Sequence, residues 1–515
     1  MNASDALIKT LISNGLEVVF ANPGTSEMHL VAAIDHNPAV RPVLGLFEGV
    51  VSGAADGYAR MSGKSAANLL HLGPGLGNAF ANIHNAKKAF SPMINIVGDH
   101  ASYHLKHNAP LTSDLDGLAK SSSDWVRRVG SPEQITQCAN DAWKVANESP
   151  GNIATLIVPA DYAWSNIQSD LPKKVKLNNR KSVDSKLIEA AYKLLSKPNS
   201  MLYLGGKFLD EECLKFAAQI ATKTGCRLVT DTFVSRIRRG AGLPIVQQVP
   251  YFSEMAEDFL QGTESIVFIG TKPPVSFFAY PDKKSFLSPD EAELFELCSV
   301  EENGYEALAL LSELSGSPKI ANELIRPYIA DVPTSGDLDI ITLGPLIADI
   351  MPEESIVSDE SATSSLIVTP HALQAKPHDW LALTGGSIGQ GLPLAIGASI
   401  AKPDRPVITL HGDGGAMYTV QALWTQAREN LNITNIIFSN RSYEILKIEL
   451  DRVQAVETGE RAASMFSMDN PPIDWVNLAE SMGVQGYKPK TVKEFKDVFS
   501  KSVNESGPSL IEIEI

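Results

Sequence analysis

The stretch that decides the fold is 406–443, PVITLHGDGGAMYTVQALWTQARENLNITNIIFSNRSY. Short apolar runs at 406–410 and 435–438 flank a segment, 417–431, whose apolar residues recur at the spacing of a helix. A strand, a helix and a second strand in so short a span form one right-handed crossover with parallel strands. The stretch therefore predicts an open α/β sheet.

Two polar residues follow the apolar runs of this crossover. Asp413 lies in the turn Gly412-Asp413-Gly414-Gly415, and Asn440 follows the second run. Because parallel strands end at one edge of a sheet, we expect both side chains at the edge where such sheets bind ligands. Their oxygens suit Mg²⁺ that holds a diphosphate, and the glycines let backbone amides approach phosphate oxygens.

Length and composition restrict the class of protein. A chain of 515 residues is expected to form about three domains. The net charge of −16 argues against nucleic acid or an anionic membrane as the main partner. No apolar run approaches the ~18 residues of a membrane helix, and the N-terminus lacks a signal-peptide pattern. The four cysteines have no metal-binding spacing, so reduced, buried thiols and a cytoplasmic location are predicted.

The alternation of apolar runs and helix-like stretches predicts an α/β protein with three doubly wound parallel-sheet domains. We place the domains at 1–170, 185–326 and 339–515, with polar linkers at 169–184 and 327–338. The strand candidates outside the crossover are 18–20, 43–47, 67–70, 93–97, 154–158, 201–204, 227–229, 265–269 and 509–513.

Glu48 lies between the apolar run 43–47 and an apolar helix predicted at 50–58. A carboxyl group in such a wall can exchange a proton with a bound cofactor. A glutamate stabilised by the dipole of the helix that it begins would explain the same residue.

Several segments together resemble one family of enzymes. The GDG turn with its later asparagine resembles the thiamine-diphosphate-binding motif. Phe47-Glu48-Gly49 resembles the conserved-glutamate segment of the acetolactate synthase and benzoylformate decarboxylase family. Essentially the whole chain takes part, and the further matching segments are 22–25, 55–60, 73–78 and 386–393.

The resemblance implies thiamine diphosphate and Mg²⁺ as cofactors. It makes 1–170 a pyrimidine-binding domain, 185–326 a central domain and 339–515 a diphosphate-binding domain. It also implies a homodimer or homotetramer whose active sites lie between two subunits, with Glu48 reaching the cofactor that the other subunit holds.

Individual site residues are carried over by the same resemblance. Glu48 would share a proton with the aminopyrimidine, Gly386 would offer it a carbonyl group, and Ile388 would prop the cofactor in a bent shape. The metal ligands would be Asp413, Asn440 and the carbonyl of Ser442. The remaining residues implied to bind the diphosphate end of the cofactor are Ser361, Ala362, Thr363, Gly412, Gly414, Gly415 and Tyr443.

On the substrate side, the resemblance implies roles for His71 and Thr25. A histidine at the matching position works in proton transfer in the decarboxylase branch. Thr25 stands where that branch has a serine, so a hydroxyl would be kept near the substrate carboxylate. The segment 73–77 would form a tight loop beside the substrate pocket. Two departures matter: 275–280 lacks the second histidine of the decarboxylases, and 98–100 lacks the glutamine of the acetolactate synthases.

The leading hypothesis is decarboxylation of a 2-keto acid with carboligation, as in acetolactate synthases. Simple decarboxylation to an aldehyde is the alternative, with His71 as proton donor. An inactive subunit or scaffold is a third interpretation, which the intact Glu48, Asp413 and Asn440 oppose. FAD on the turn 204–207 is not favoured.

Two further interpretations concern other parts of the chain. His100, His104 and His107 have the spacing of a metal site on a helix, but lining of a polar pocket is the preferred interpretation. The stretch after Glu444, including Arg452, is predicted to close over the site as a lid.

Overall fold

The computed structural model describes residues 1–168, 172–453 and 459–515, and it contains three sheets of six, five and seven strands. Strands pair in parallel throughout, with one exception at the edge of the third sheet. The predicted α/β class is confirmed. The first three residues of the predicted linker, 169–171, lie outside the described residues. The domain boundaries stay predictions.

The first sheet is built from the N-terminal part of the chain. Its strands are β1 (Val18–Asn22), β2 (Arg41–Leu44), β3 (Ala66–His71), β4 (Met93–Asp99), β5 (Trp125–Arg128) and β6 (Ile153–Pro159). Its helices are α1 (Ala3–Asn14), α2 (Met28–Asp35), α3 (Glu48–Ser62), α4 (Leu72–Lys88), α5 (Leu115–Ser122), α6 (Ile135–Asn147) and α7 (Ala160–Trp164). The strand order is β2-β1-β3-β4-β6-β5.

The middle of the chain forms the second sheet. Its strands are β7 (Ser200–Leu204), β8 (Arg227–Thr230), β10 (Gln247–Gln248), β11 (Ser265–Ile269) and β12 (Glu293–Cys298). Strand β9 (Ile237–Arg239) comes from the same part of the chain but joins the third sheet. The helices of the second sheet are α8 (Ser185–Leu195), α9 (Glu211–Thr224), α10 (Ser253–Leu260) and α11 (Gly304–Leu314). The order is β10-β8-β7-β11-β12.

The C-terminal part forms the third sheet. Its strands are β13 (Ile356–Glu360), β14 (His378–Ala382), β15 (Val407–Gly412), β16 (Ile433–Ser439), β17 (Gln485–Tyr487) and β18 (Ser509–Glu514). Its helices are α12 (Ile340–Ile350), α13 (Ser365–Ala372), α14 (Gly391–Ala401), α15 (Asp413–Ala416), α16 (Ala422–Arg428), α17 (Glu444–Arg452), α18 (Glu460–Ser464), α19 (Trp475–Ser481) and α20 (Val492–Asn504). The order is β17-β18-β16-β15-β13-β14-β9, with β9 antiparallel to β14.

The predicted crossover is present, but its helix is shorter than predicted. Strands β15 and β16 pair in parallel, with Gly412 opposite Phe438. The helix predicted over 417–431 is wrong in its bounds. The chain forms the short helix α15 directly after β15, is not helical over 417–421, and becomes helical again only in α16. In the gap, the hydroxyl of Thr419 donates to the carbonyl of Gly389 at 2.9 Å, a tertiary contact that helical spacing does not predict.

The loop expected at 73–77 is also corrected. These residues form the first turns of α4, which begins at Leu72. Pro74 is tolerated there because the first N–H groups of a helix need no partner within the helix.

Helices α3 and α14 pack backbone to backbone. A Cβ atom added at Gly57 would overlap the carbonyl of Leu394, and one at Gly397 would overlap the carbonyl of Ala54. Only glycine permits this approach. The contact joins the layers of the first and third sheets and positions Glu48, the first residue of α3.

A buried ion pair reinforces the same contact. Arg60 Nη2 donates to Asp56 Oδ2 at 2.7 Å, and Arg60 Nη1 donates to the carbonyl of Ala382 at 2.8 Å. Gln390 Nε2 donates to the same carboxylate oxygen at 2.6 Å. Both charges are buried, and a buried charge is stable only when its hydrogen-bonding partners are in place. These residues therefore fix how α3 meets the start of α14.

Two features concern the chain as a whole. Within the described ranges, no helix is both long enough and apolar enough to cross a bilayer. All four cysteines are free and buried, as predicted.

Replacing Gly397 by alanine tests the helix contact. The added methyl group must push α3 and α14 apart, so we expect G397A to lower the free energy of unfolding by about 3 kcal/mol. Urea unfolding followed by circular dichroism measures this. The control is G77A in α4, where an added Cβ meets no atom within 4 Å and helix propensity predicts unchanged or slightly higher stability. Equal stability of the two variants would contradict the packing argument.

Candidate active site

The ends of β15 and β16 form the edge where the site residues were predicted. Asp413 is buried, and its Oδ2 accepts from the backbone N–H of Arg441 at 2.7 Å. Its Oδ1 accepts from the N–H of Gly414 at 2.8 Å. The structure therefore brings Asp413 and the turn at Asn440 together, as the spacing predicted.

The turn after β16 is tight. Asn440 Oδ1 accepts from the N–H of Ser442 at 3.0 Å, and Arg441 has a φ of +52°. The ring of Tyr443 lies against Gly414, where an added Cβ would overlap it. Gly414 is thus required by the packing of the turn, and Tyr443 lies beside the predicted diphosphate loop.

The donor set at this edge fits Mg²⁺. Each oxygen of Asp413 accepts one backbone hydrogen bond and keeps a lone pair, and so does the amide oxygen of Asn440. Burial raises the pKa of Asp413, and the N–H groups of Arg441 and Gly414 oppose that rise. A divalent cation would favour the charged form further. Ligation by the carbonyl of Ser442 stays a prediction.

Residues Ser361, Ala362 and Thr363 lie at the same edge, after β13, which pairs with β15. The hydroxyl of Ser361 donates to Asp359 Oδ1 at 2.6 Å, and Ala362 has a φ of +51°. Their contact with a diphosphate stays a prediction.

Glu360 is a residue that the sequence analysis missed. Its buried carboxylate accepts backbone N–H bonds from Gly389 at 2.6 Å and from Gln390 and Gly391 at 2.7 Å. It therefore satisfies three consecutive N–H groups where the chain enters α14, and it fixes the glycine-rich turn before that helix.

His411, also missed, lies beside this carboxylate. Its Nε2 is 3.4 Å from Glu360 Oε2, and both side chains are buried. Burial alone would raise the pKa of Glu360, but the charge of His411 and the backbone amides outweigh it and lower that pKa. Burial alone would lower the pKa of His411, but the charge of Glu360 raises it. The pair joins the turn before α14 to the strand that precedes Gly412.

The turn before α14 holds the residues predicted to meet the aminopyrimidine. Gly386 has a φ of +71°, and Ile388 is half-buried. Asn85 Nδ2 donates to the carbonyl of Ser387 at 2.7 Å, and Asn82 Nδ2 donates to that of Gly389 at 3.2 Å. Two asparagines of α4 thus fix the turn. The sequence of the turn gives no sign of these hydrogen bonds.

Glu48 is buried at the start of α3. Its Oε2 accepts from Asn78 Nδ2 at 2.9 Å, and its Oε1 lies 3.2 Å from a Cβ added at Gly75. In the described part of the chain, no hydrogen bond joins Glu48 to Asp413 or Asn440.

His71 is the last residue of β3. Its side chain and that of Glu48 both lie beside Gly75, where an added Cβ would be 3.4 Å from His71 Cβ and 3.2 Å from Glu48 Oε1. Its Nδ1 is 2.8 Å from Glu27 Oε2 and 3.2 Å from Ser26 Oγ. Glu27 is fully buried and was not predicted. Thr25 is exposed, and its place near the substrate carboxylate stays a prediction. The neighbouring Ser26 is the residue whose hydroxyl contacts His71.

An aromatic cluster from the middle of the chain reaches the turn before α14. The ring of Phe277 lies 3.1 Å from a Cβ added at Gly386. Its centroid is 5.6 Å from that of Phe233, 5.3 Å from that of Tyr251 and 5.6 Å from that of Phe278. Phe277 and Phe278 are nevertheless 43% and 55% exposed. The segment 275–280, which lacks the second histidine of the decarboxylases, thus presents apolar surface.

Three other predicted features are placed at least in part by the structure. The rings of His100, His104 and His107 lie 5.5 and 5.7 Å apart, and the described residues hold no group of three side chains placed to ligate a metal. Gly205 and Gly206 pack on Thr271 and Gly270. The predicted lid includes 454–458, which lie outside the described residues. Beyond that gap, the carbonyl of Phe466 accepts from the N–H of Tyr443 at 2.9 Å, and closure over the site stays a prediction.

Comparison with protein families gives two matches. Residues 1–119 match the family described as thiamine pyrophosphate enzyme, N-terminal TPP binding domain. Residues 362–513 match the thiamine pyrophosphate enzyme, C-terminal TPP binding domain.

Individual relatives match over their full length. The protein named "Putative acetolactate synthase large subunit IlvX" from Mycobacterium tuberculosis is 43% identical, covering 100% of this chain and 99% of that protein. Benzoylformate decarboxylase from Pseudomonas aeruginosa is 25% identical, covering 99% and 98%. Among solved structures, the thiamine diphosphate-dependent 4-hydroxybenzoylformate decarboxylase of Rhodococcus jostii RHA1 is 25% identical, with a TM-score of 0.85 and coverage of 100% and 99%.

Replacing Glu360 by glutamine tests its structural role. Glutamine keeps the shape but offers one acceptor oxygen for three N–H groups and leaves His411 without its counter-charge. We expect E360Q to lose about 3 kcal/mol of unfolding free energy, measured in urea. E353Q, at an exposed position of the same region, is the control and should match the wild type. An E360Q protein as stable as E353Q would show that the carboxylate does not hold the turn.

Proposed function

Because the chain belongs to the thiamine pyrophosphate enzyme family, we propose that it is a Mg²⁺-dependent enzyme that decarboxylates a 2-keto acid and joins the product to a second carbonyl compound. The observation that carries the proposal is the contact of Asp413 with the turn at Asn440, at the carboxyl edge of a parallel sheet. The acetolactate-synthase name of the 43% identical relative supports carboligation as the outcome.

Two sets of residues in this chain would bind the two ends of the cofactor. Asp413, Asn440 and Ser442 would hold the cation, and the backbones of 412–415 and 361–363 would bind the diphosphate. The turn 386–391 would receive the aminopyrimidine. Thiamine diphosphate supplies a carbon nucleophile and an electron sink when bound.

Glu48 would act on a cofactor held by a second copy of the chain. Within the described residues its carboxyl group bonds to Asn78, in the layer of the first sheet, while Asp413 lies at the edge of the third. Membership of the family supports a homodimer or homotetramer with sites between subunits. Glu48 would exchange a proton with the aminopyrimidine nitrogen.

A simple decarboxylase is the second candidate, and one contact favours it. The Glu27 carboxylate lies at Nδ1 of His71, which orients the ring and leaves Nε2 to give a proton to the product. The name of the benzoylformate decarboxylase relative agrees with this alternative.

We further propose that the substrate has a large apolar side chain. The aromatic cluster around Phe277 reaches Gly386, at the place proposed for the aminopyrimidine, and its rings are partly open to solvent. An aryl or branched alkyl group would bury this surface, whereas the methyl group of pyruvate would bury little of it.

A product assay tests the function. With thiamine diphosphate and Mg²⁺, we expect CO₂ and a hydroxy-ketone from a 2-keto acid, whereas an aldehyde matching the CO₂ would select the second candidate. E48Q should lower kcat about 100-fold or more with a smaller loss of cofactor affinity. E133Q, at an exposed surface position, is the control. Absence of CO₂ from every acid tested, with cofactor bound, would contradict the proposal.

Truncation of Phe277 tests the substrate class. We expect F277A to lower kcat/KM for phenylglyoxylate about tenfold more than for pyruvate, because the apolar contact is lost only for the larger acid. F286A is the control, since Phe286 is exposed in the same segment without an aromatic partner among the described residues. An equal loss for both acids would refute a role in selecting the side chain.

A further inference from the structure

Helix α17 connects two parts of the proposed site. It begins at Glu444, directly after the turn that holds Asn440 and Ser442, and it ends at Arg452. A helix of nine residues is about 13 Å long, so α17 carries the chain away from the proposed cation site. None of these nine residues, all of which the structure describes, is buried. Apolar packing therefore does little to place α17, and its polar contacts decide where it lies.

Arg452 joins the end of α17 to the middle part of the chain. Its Nη1 and Nη2 donate to the two carboxylate oxygens of Glu254 in α10, with Nη2 2.8 Å from Oε2. Its Cζ lies 4.5 Å from the centroid of the Phe252 ring and 4.6 Å from that of the Tyr280 ring. A two-point ion pair with aromatic rings against the guanidinium is stronger and more directional than an ordinary surface pair.

Glu449, three residues before Arg452, makes a second contact with the same part of the chain. Its Oε2 accepts from the hydroxyl of Tyr280 at 2.7 Å and lies 3.7 Å from Arg452 Nε. Arg452 thus lies between the carboxylates of Glu254 and Glu449. Its hydrogen bonds lower the pKa of Glu254 to about 2, so that carboxylate is charged at neutral pH. Without the guanidinium, two negative charges would repel each other where α17 meets α10.

The rings that Arg452 contacts adjoin the aromatic cluster around Phe277. The ring centroids of Phe252 and Tyr251 are 5.2 Å apart, and those of Tyr251 and Phe277 are 5.3 Å apart. Tyr280 is buried and follows Phe277 by three residues in the segment 275–280. Arg452 is therefore connected to the cluster in two ways, through ring contacts and through the chain.

We propose that Arg452 is a positioning residue for the substrate pocket. It holds α10 and the segment 275–280 against α17, and it thereby fixes the aromatic cluster relative to the turn that is proposed to bind the cation. This inference rests on the proposed function, in which the cluster receives the side chain of the 2-keto acid. Arg452 acts through the rings of Phe252 and Tyr280 rather than on the substrate itself.

Two substrates and a double variant test the proposal. R452M keeps apolar volume but removes the guanidinium, and we expect it to lower kcat/KM for phenylglyoxylate about tenfold more than for pyruvate. In the F277A background the same substitution should change this ratio less than about twofold, because the cluster through which Arg452 acts is already broken. Losses that multiply to about 100-fold, or an equal loss for both acids, would overturn the proposal.

Two further variants locate the effect. E254Q weakens the same ion pair from the other side and should shift the ratio in the same direction, by about threefold. R227M is the matched control, because Arg227 stacks on the Phe259 ring of α10 at 4.3 Å but donates to Gln247 and lies near the opposite end of that helix from Glu254. It should leave the ratio unchanged even if it lowers the melting temperature. A matching shift in R227M would assign the effect to general destabilisation.

Amide hydrogen exchange separates a failure of this proposal from a failure of the proposed function. In the protein without substrate, R452M should speed exchange in both 275–280 and 444–452, whereas R227M should leave both segments as in the wild type. If the wild type decarboxylates neither acid, the proposed function fails, and exchange still decides whether Arg452 holds the two segments together. Unchanged exchange in both segments of R452M would refute the positioning role.

Discussion

The backbone contact between α3 and α14 is the constraint that fixes where Glu48 and the turn before α14 lie within one chain. Gly57 and Gly397 let the two helices approach so closely that any side chain would separate them. One helix begins with Glu48, and the other begins directly after the turn that is proposed to meet the aminopyrimidine. The buried Asp56 carboxylate, shared by Arg60 and Gln390, fixes the same contact by charge. The close glycine packing and the buried ion pair thus stabilise the same contact between α3 and α14.

A second buried carboxylate organises the edge of the third sheet. Glu360 accepts hydrogen bonds from three N–H groups where the chain enters α14, and it lies beside His411, which precedes the turn 412–415 that is proposed to bind the diphosphate. One residue of β13 thereby connects two glycine-rich turns that are far apart in sequence. The buried charge of Glu360 is thus explained by the two turns that it connects.

The sequence predicts what local periodicity encodes. The crossover and the meeting of Asp413 with the Asn440 turn followed from strand ends and helical spacing, and the structure confirms them. Strand β9 was missed because Ile-Arg-Arg has no apolar alternation and is a strand only through pairing with β14. The Glu27–His71 and Glu360–His411 contacts were missed because each joins residues distant in sequence, on which one chain gives no information.

The central claim is that one subunit holds the diphosphate at Asp413 and the other supplies Glu48. A crystal structure with thiamine diphosphate and Mg²⁺ tests it most directly. The account predicts the diphosphate on 412–415, the cation bound by Asp413 and Asn440, and Glu48 of a second copy hydrogen-bonded to the aminopyrimidine. Cofactor bound elsewhere, or a Glu48 from the same chain at the ring, would contradict it.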